Sequence, residues 1–182
     1  MASSAIYRYF PSREALLTAL IIDAYNTLGE RVETAEGACD RDDFDGRWSA
    51  IGHAVRSWAT ANPHEFALIY GSPVPGYAAP EDTIVPATRA TMVMLQLLAD
   101  ATAGSGGPAL DLDEPLRSEL DRMNDFVDGS VRPATAARGL AAWAEMVGFI
   151  TLELGGHFEN VVDDRDSLFA TMMKATAARL LG

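Results

Sequence analysis

Ala5-Ile6-Tyr7-Arg8-Tyr9-Phe10-Pro11-Ser12-Arg13-Glu14-Ala15-Leu16-Leu17 decides how this sequence is to be read. A short helical stretch, about residues 2–10, ends at Pro11, which cannot continue a helix from within. Ser12 is a good N-cap for a second helix, and Glu14 suits the positive end of its dipole. After it Leu17, Ile21, Ala24, Leu28 and Val32 recur at helical spacing and form one apolar stripe. A short helix, a tight turn and a long amphipathic helix therefore open the sequence.

The rest continues in the same period. Residues 37–43 read as a polar loop. The next helix, about 44–61, puts Trp48, Ile51, Val55 and Trp58 on one face. Asn62-Pro63-His64-Glu65 restarts a helix, with Asn62 as cap and Pro63 in the first position. Gly71-Ser72-Pro73-Val74-Pro75-Gly76 is a rigid loop, punctuated four times by proline and glycine. Long helices are expected at 81–103 and from 133 to about 158, with shorter ones near 113–128 and 164–181. No stretch alternates like a strand, and no internal repeat stands out. The fold class is all-α.

Composition narrows the function classes. Of 182 residues, 48% are hydrophobic and 22% charged, the balance of an ordinary globular chain. No apolar run is long enough to cross a bilayer, and one cysteine, Cys39, suits a reducing cytoplasm and excludes an internal disulfide. With three histidines and one thiol, a structural zinc site is not expected. The net charge of −12 argues against nucleic-acid binding spread over the surface. Residues 1–13 carry Arg8 and Arg13 and no acid, whereas the remainder holds 12 basic and 26 acidic residues. Contact with a polyanion is thus expected at the first turns alone. His157 follows Glu153 by four residues and is expected to pair with it. His53 and His64 have no third ligand or nucleophile near in sequence, so neither a catalytic residue, a metal site nor a cofactor is assigned.

The opening stretch resembles the second half of the helix-turn-helix of tetracycline-repressor (TetR) family regulators. In that family a short recognition helix ends Tyr-x-x-Phe, a two-residue turn follows, and a basic residue opens a long connecting helix. Tyr7, Phe10, Arg13 and Leu16-Leu17 stand at those positions. Ala2 stands where the family usually has a serine cap, and the two helices that precede the recognition helix in the family have no counterpart here. The sequence is therefore expected to begin inside a longer protein, and as it stands to bind DNA poorly. Further on, Ala61-Asn62-Pro63-His64, Tyr70 to Tyr77 and Trp143…Gly156-His157-Phe158 resemble the TetR C-terminal subgroup named for Trp, His and Gly. The resemblance implies a TetR-like helical bundle: residues 1–36 as the end of the DNA-binding domain plus connecting helix, and 37–182 as a ligand-binding and dimerisation domain.

It also implies sites. Ser3, Ser4, Tyr7, Arg8, Tyr9 and Arg13 are the expected DNA contacts, to bases or phosphates. Trp58, Phe66, Tyr70, Met94 and Leu98, with Met123, Phe126, Trp143 and Met146, are expected around a mostly apolar ligand pocket. The last two long helices are expected to form a homodimer interface through Gly139, Gly148, Phe169, Met172 and Met173, because residues 139–154 are apolar nearly all round. The implied function is a cytoplasmic, ligand-responsive regulator that represses by binding operator DNA as a dimer and is released by a small apolar effector. The alternatives are a helical dimerisation module without DNA binding and a small helical enzyme. No nucleophile–base pair or phosphate loop supports the latter.

Overall fold

The computed structural model describes residues 9–103, 110–126 and 131–181. Among them are seven α-helices and no strand: α1 Arg13–Gly37, α2 Phe44–Ala61, α3 Pro63–Tyr70, α4 Ile84–Thr102, α5 Glu114–Asp121, α6 Pro133–Leu154 and α7 Arg165–Leu181. The short helix expected over residues 2–10 lies outside the described residues but for its last two.

Local chemistry explains most helix ends. Ser12 Oγ accepts from the Ala15 amide at 3.1 Å, as expected of an N-cap. Asp43, Asp113 and Asp164 cap α2, α5 and α7 in the same manner, through the amides of Gly46, Leu116 and Ser167. Asn62 does not: its side-chain amide donates backwards to Trp58 O at 2.9 Å, so it closes α2 rather than capping α3. α6 stops at Leu154, earlier than its apolar pattern suggests. Gly156, at φ +74°, lets its own amide reach Glu153 O while the His157 amide reaches Leu152 O, the paired bonds of a Schellman stop. The helix expected over 113–128 is α5 followed by a 3₁₀ turn, Arg122–Phe126. Asn124 lies in that turn and accepts from the Val131 amide at 2.7 Å. α4 likewise begins as a 3₁₀ turn, Glu81–Thr83.

α1 lies across α2 and α4, α2 packs on α7, and α6 lies against α4, α5 and α7. One apolar core joins them. Ala24, Leu28 and Val32 of α1, Trp48, Ile51 and Val55 of α2, and Leu95, Leu97 and Leu98 of α4 are all buried in it. Where α1 meets α4, Gly29 is needed: a Cβ there would stand 2.8 Å from Arg89 Cβ.

A charge is buried with them. Arg47 of α2 is completely enclosed. Its Nε donates to Glu36 at 2.6 Å, its second terminal nitrogen to Asp100 at 2.7 Å and the other to Arg41 O at 3.0 Å. Arg41 adds a second bond to Glu36 at 2.6 Å. Burial alone would raise the Glu36 and Asp100 carboxyls. The arginine hydrogen bonds and charges outweigh it, with Gln96 helping at Asp100, and hold both below the usual carboxylate range.

Candidate functional site

Three regions take up the expected residues. The first is the start of α1. Arg13 is its first residue, exposed, next to the Ser12 cap, and Tyr9 just before it is 81% exposed. An exposed guanidinium and a phenol beside the free amides of a helix start can hold a phosphate. Ser3, Ser4, Tyr7 and Arg8 lie outside the described residues.

The second region is the core between α1, α2, α3, α4 and α6. Trp58, Phe66, Met94, Leu98, Trp143 and Met146 are buried there, with Tyr70 and Met123 partly buried against them. Phe126 ends the 3₁₀ turn, and its side chain lies outside the described residues. Met94, Leu98 and Met146 are fully enclosed. Their neighbour is Gly139, whose Cβ position is 2.5 Å from Leu98 Cδ1. Gly139 thus serves the contact of α6 with α4 and has no free outer side, contrary to its expected place in an interface.

The polar part of this region is aromatic. The Phe66 and Tyr70 rings lie 5.1 Å apart, and Tyr25 of α1 meets Tyr70 edge-on at 6.5 Å. The Tyr25 hydroxyl donates to Ile69 O at 3.4 Å. Burial pushes both phenols up; at Tyr70 the nearby Tyr25 adds to this, while a hydrogen bond with Trp143 opposes it. The Trp58 indole N–H donates to Thr27 Oγ1 at 3.2 Å. The polar side chains that bond within this cluster, Tyr25, Thr27, Trp58 and Tyr70, are neutral, which suits an uncharged molecule. Tyr25 and Thr27 were not among the expected residues. The signal for Tyr25 was present in its position four residues after Ile21, one helical turn along the stripe. On the outer side of Trp58 an open, polar groove of about 410 Å³ runs between α1 and α2–α3, past Thr27, Arg31, Asn62 and Glu65.

The third region is the outer side of α6 and α7. Phe169 is fully buried inside the chain: Phe149 stands 5.2 Å away, His53 5.4 Å, and the Arg56 guanidinium lies 5.0 Å over its ring. Met173 is buried too, with its Cε 2.3 Å from the Cβ position of Gly52. Both were expected to face a partner; the protein's own α2 has taken that side of α7. Gly148 is different, since a Cβ there meets nothing within 4 Å. Around it α6 presents Leu140 at 40% and Leu152 at 45% exposure, with Ala141, Ala144 and Thr151 also exposed. Half-buried Leu168 and Met172 and exposed Ala175 stand along α7. Glu145, the charged residue amid this stretch of α6, is hydrogen-bonded to Arg179 of α7.

Histidine–glutamate pairing at the end of α6 does not occur. Glu153 instead receives two bonds from Arg56, at 2.7 and 2.6 Å, and Arg56 reaches Asp166 at 2.7 Å as well. That triangle fastens α2 to α6 and α7. His53, His64 and His157 are exposed. No helix of the described residues is long and apolar enough to cross a membrane.

The comparisons agree with this geometry. Residues 48–176 match the family described as "Tetracyclin repressor-like, C-terminal domain". The HTH-type transcriptional regulator Rv1816 of Mycobacterium tuberculosis is 38% identical over 162 residues, covering 87% of this chain and 69% of that protein. The Mycobacterium bovis regulator Mb1846 matches to the same extent. Among solved structures, a candidate regulatory protein, SCO4313, superposes with a TM-score of 0.73 at 31% identity, covering 98% of this chain and 80% of that one. A protein of unknown function from Rhodococcus sp. RHA1 shares the fold at a TM-score of 0.70 and 20% identity. On its family match and its 38% identity to these regulators, the chain belongs to the tetracycline-repressor (TetR) family of transcriptional regulators.

Proposed function

We propose that the protein is a cytoplasmic, dimeric repressor that holds operator DNA through the region around Arg13 and lets go when a small, uncharged, largely apolar molecule binds beside Tyr70. One observation carries this reading. α1 is a single helix of 25 residues that has Arg13 at its start and Tyr25, in contact with Tyr70, three turns later. A molecule that moves Tyr70 therefore acts on the same helix that begins with Arg13. Two sites joined by one element are what such coupling requires.

The DNA contacts proposed are Ser3, Ser4, Tyr7, Arg8, Tyr9 and Arg13. The effector would sit among Trp58, Phe66, Tyr70, Trp143 and, newly, Tyr25, with Met94, Leu98, Met123, Phe126 and Met146 behind them. The proposed dimer face comprises Leu140, Ala144, Gly148 and Leu152 of α6 and Leu168 and Met172 of α7. That face is apolar, and its one acid is already paired, so a second copy related by a two-fold axis can cover it without burying an unpaired charge.

A mobility-shift assay tests the reading. The protein as its gene encodes it is mixed with the DNA preceding that gene, and neutral aromatic compounds are then added. Retardation that a subset of compounds reverses is expected. Retardation that no effector reverses would remove the ligand response, and no retardation at all would remove DNA reading.

A further inference from the structure

α1 is held unequally along its length. Its second half is pinned by charge. Arg89 of α4 donates to Asn26 O and Oδ1, at 3.2 and 2.9 Å, and bidentately to Glu33, at 2.9 and 2.7 Å. Beyond that, Glu36 is locked by Arg41 and the enclosed Arg47. Among the described residues, the first half has no such anchor, and its side-chain hydrogen bonds to other parts of the chain are the long one from Tyr25 to Ile69 O and a shorter one. In the latter, the Thr18 and Tyr77 hydroxyls lie 2.9 Å apart.

Tyr77 is placed with care. It ends a turn in which its amide reaches Val74 O at 3.1 Å, with Pro75 and Gly76 in the two central positions. Gly76 has φ +78°, a conformation that only glycine adopts cheaply and that the third residue of a type II turn requires. The turn lies in the segment between α3 and α4, which begins next to Tyr70. Tyr70, just before that segment, and Tyr77 within it thus both touch α1, Tyr70 at the level of Tyr25 and Tyr77 at Thr18. Thr18 is five residues from Arg13, about 7.5 Å along the helix.

We propose that the Tyr77–Thr18 hydrogen bond is a latch that sets the direction of the first half of α1, which makes Tyr77 a positioning residue for DNA reading. The role rests on the proposal that this half carries the DNA contacts. The segment 71–80 then works as a lever: displacement of Tyr70 moves the turn, the turn moves Tyr77, and α1 tilts about its charged anchor near Gly29. Both latch groups are neutral, so the bond can be exchanged for water at small cost, as a reversible latch needs.

Hydrogen exchange of this chain tests the latch without DNA or effector. Tyr77→Phe removes the hydroxyl and keeps the ring. Amides of residues 17–24 should then exchange about fivefold faster, the factor a neutral hydrogen bond is worth, while those of residues 28–36 keep their rates. Thr18→Val should have the same effect, the two together should do no more than either alone, and Thr18→Ser should restore the original rates. Unchanged rates, a uniform acceleration along the chain, or additive effects of the two substitutions would overturn the proposal. A protein that fails to retard DNA would defeat the repressor reading and leave this exchange pattern intact.

Discussion

At the scale of single residues, the enclosed Arg47 is the most exacting. It has no water to fall back on, so its three acceptors must all stay in place. Glu36→Gln removes the negative charge and leaves the guanidinium buried with weaker support. Such losses cost about 3–5 kcal/mol, and the urea midpoint should fall accordingly. The acid limb follows from the same carboxyls. Glu36 and Asp100 titrate below their ordinary values in the folded state. The unfolded chain therefore takes up protons first as pH falls. Their contribution is complete above the ordinary carboxylate values near 4.5 and 3.8 and is lost as pH drops through the depressed ones. Chemical denaturation between pH 6 and 3 should show stability falling below about pH 4.5, with a shallower fall in Glu36→Gln; equal slopes would contradict the assignment. Two glycines of α1 make a second pair. Gly29→Ala would push a methyl to within 2.8 Å of Arg89 Cβ, an atom next to the backbone that cannot swing aside. A cost of about 1–3 kcal/mol is expected. Gly37→Ala meets nothing within 4 Å and should be close to neutral, and thermal melts of the two variants should show the difference.

At the scale of elements, helical periodicity located nearly every helix, because one apolar stripe per helix is what a single core demands. It could not say which neighbour each stripe meets. Phe169, Met173 and Gly139 looked suited to a second copy, yet α2 and α4 of the same chain cover them. An apolar side chain leaves the same mark in the sequence whether its cover comes from the chain itself or from a copy. The polar pairings were hidden for a related reason. Glu153 had a histidine four residues away but is bound by Arg56, 97 residues distant, and local spacing holds no trace of that contact. Tyr25 stands beside the apolar stripe of α1, and its position alone does not tell that its ring meets Tyr70, 45 residues on. These distinctions set the variants for the α6–α7 face. Phe169→Ala would leave a cavity where the ring packs against Phe149, His53 and Arg56, and should lower the melting temperature sharply whatever the association state. Gly148→Leu, in open space, should leave the helical content unchanged and turn a sedimenting dimer into a monomer. If Gly148→Leu sediments like the parent, the dimer face lies elsewhere.

At the scale of the whole molecule, the charge on the chain is strongly one-sided: 26 acids against 14 bases overall, with no acid among the first 13 residues. Two such bodies repel each other as they approach, and each also repels a duplex from every direction but one. The face around Gly148 is the quiet exception, with one acid and that acid already paired. Ionic strength should consequently push the two halves of the task in opposite directions. Added salt should screen the mutual repulsion of the copies and tighten the proposed dimer, while it should weaken the proposed hold of Arg13 and its neighbours on phosphate. Sedimentation and mobility shift over the same series, from about 50 to 500 mM, should cross, with pairing rising as retention falls. Under the proposed function, the salt at which such a molecule meets its operator would be as much a part of its tuning as the effector.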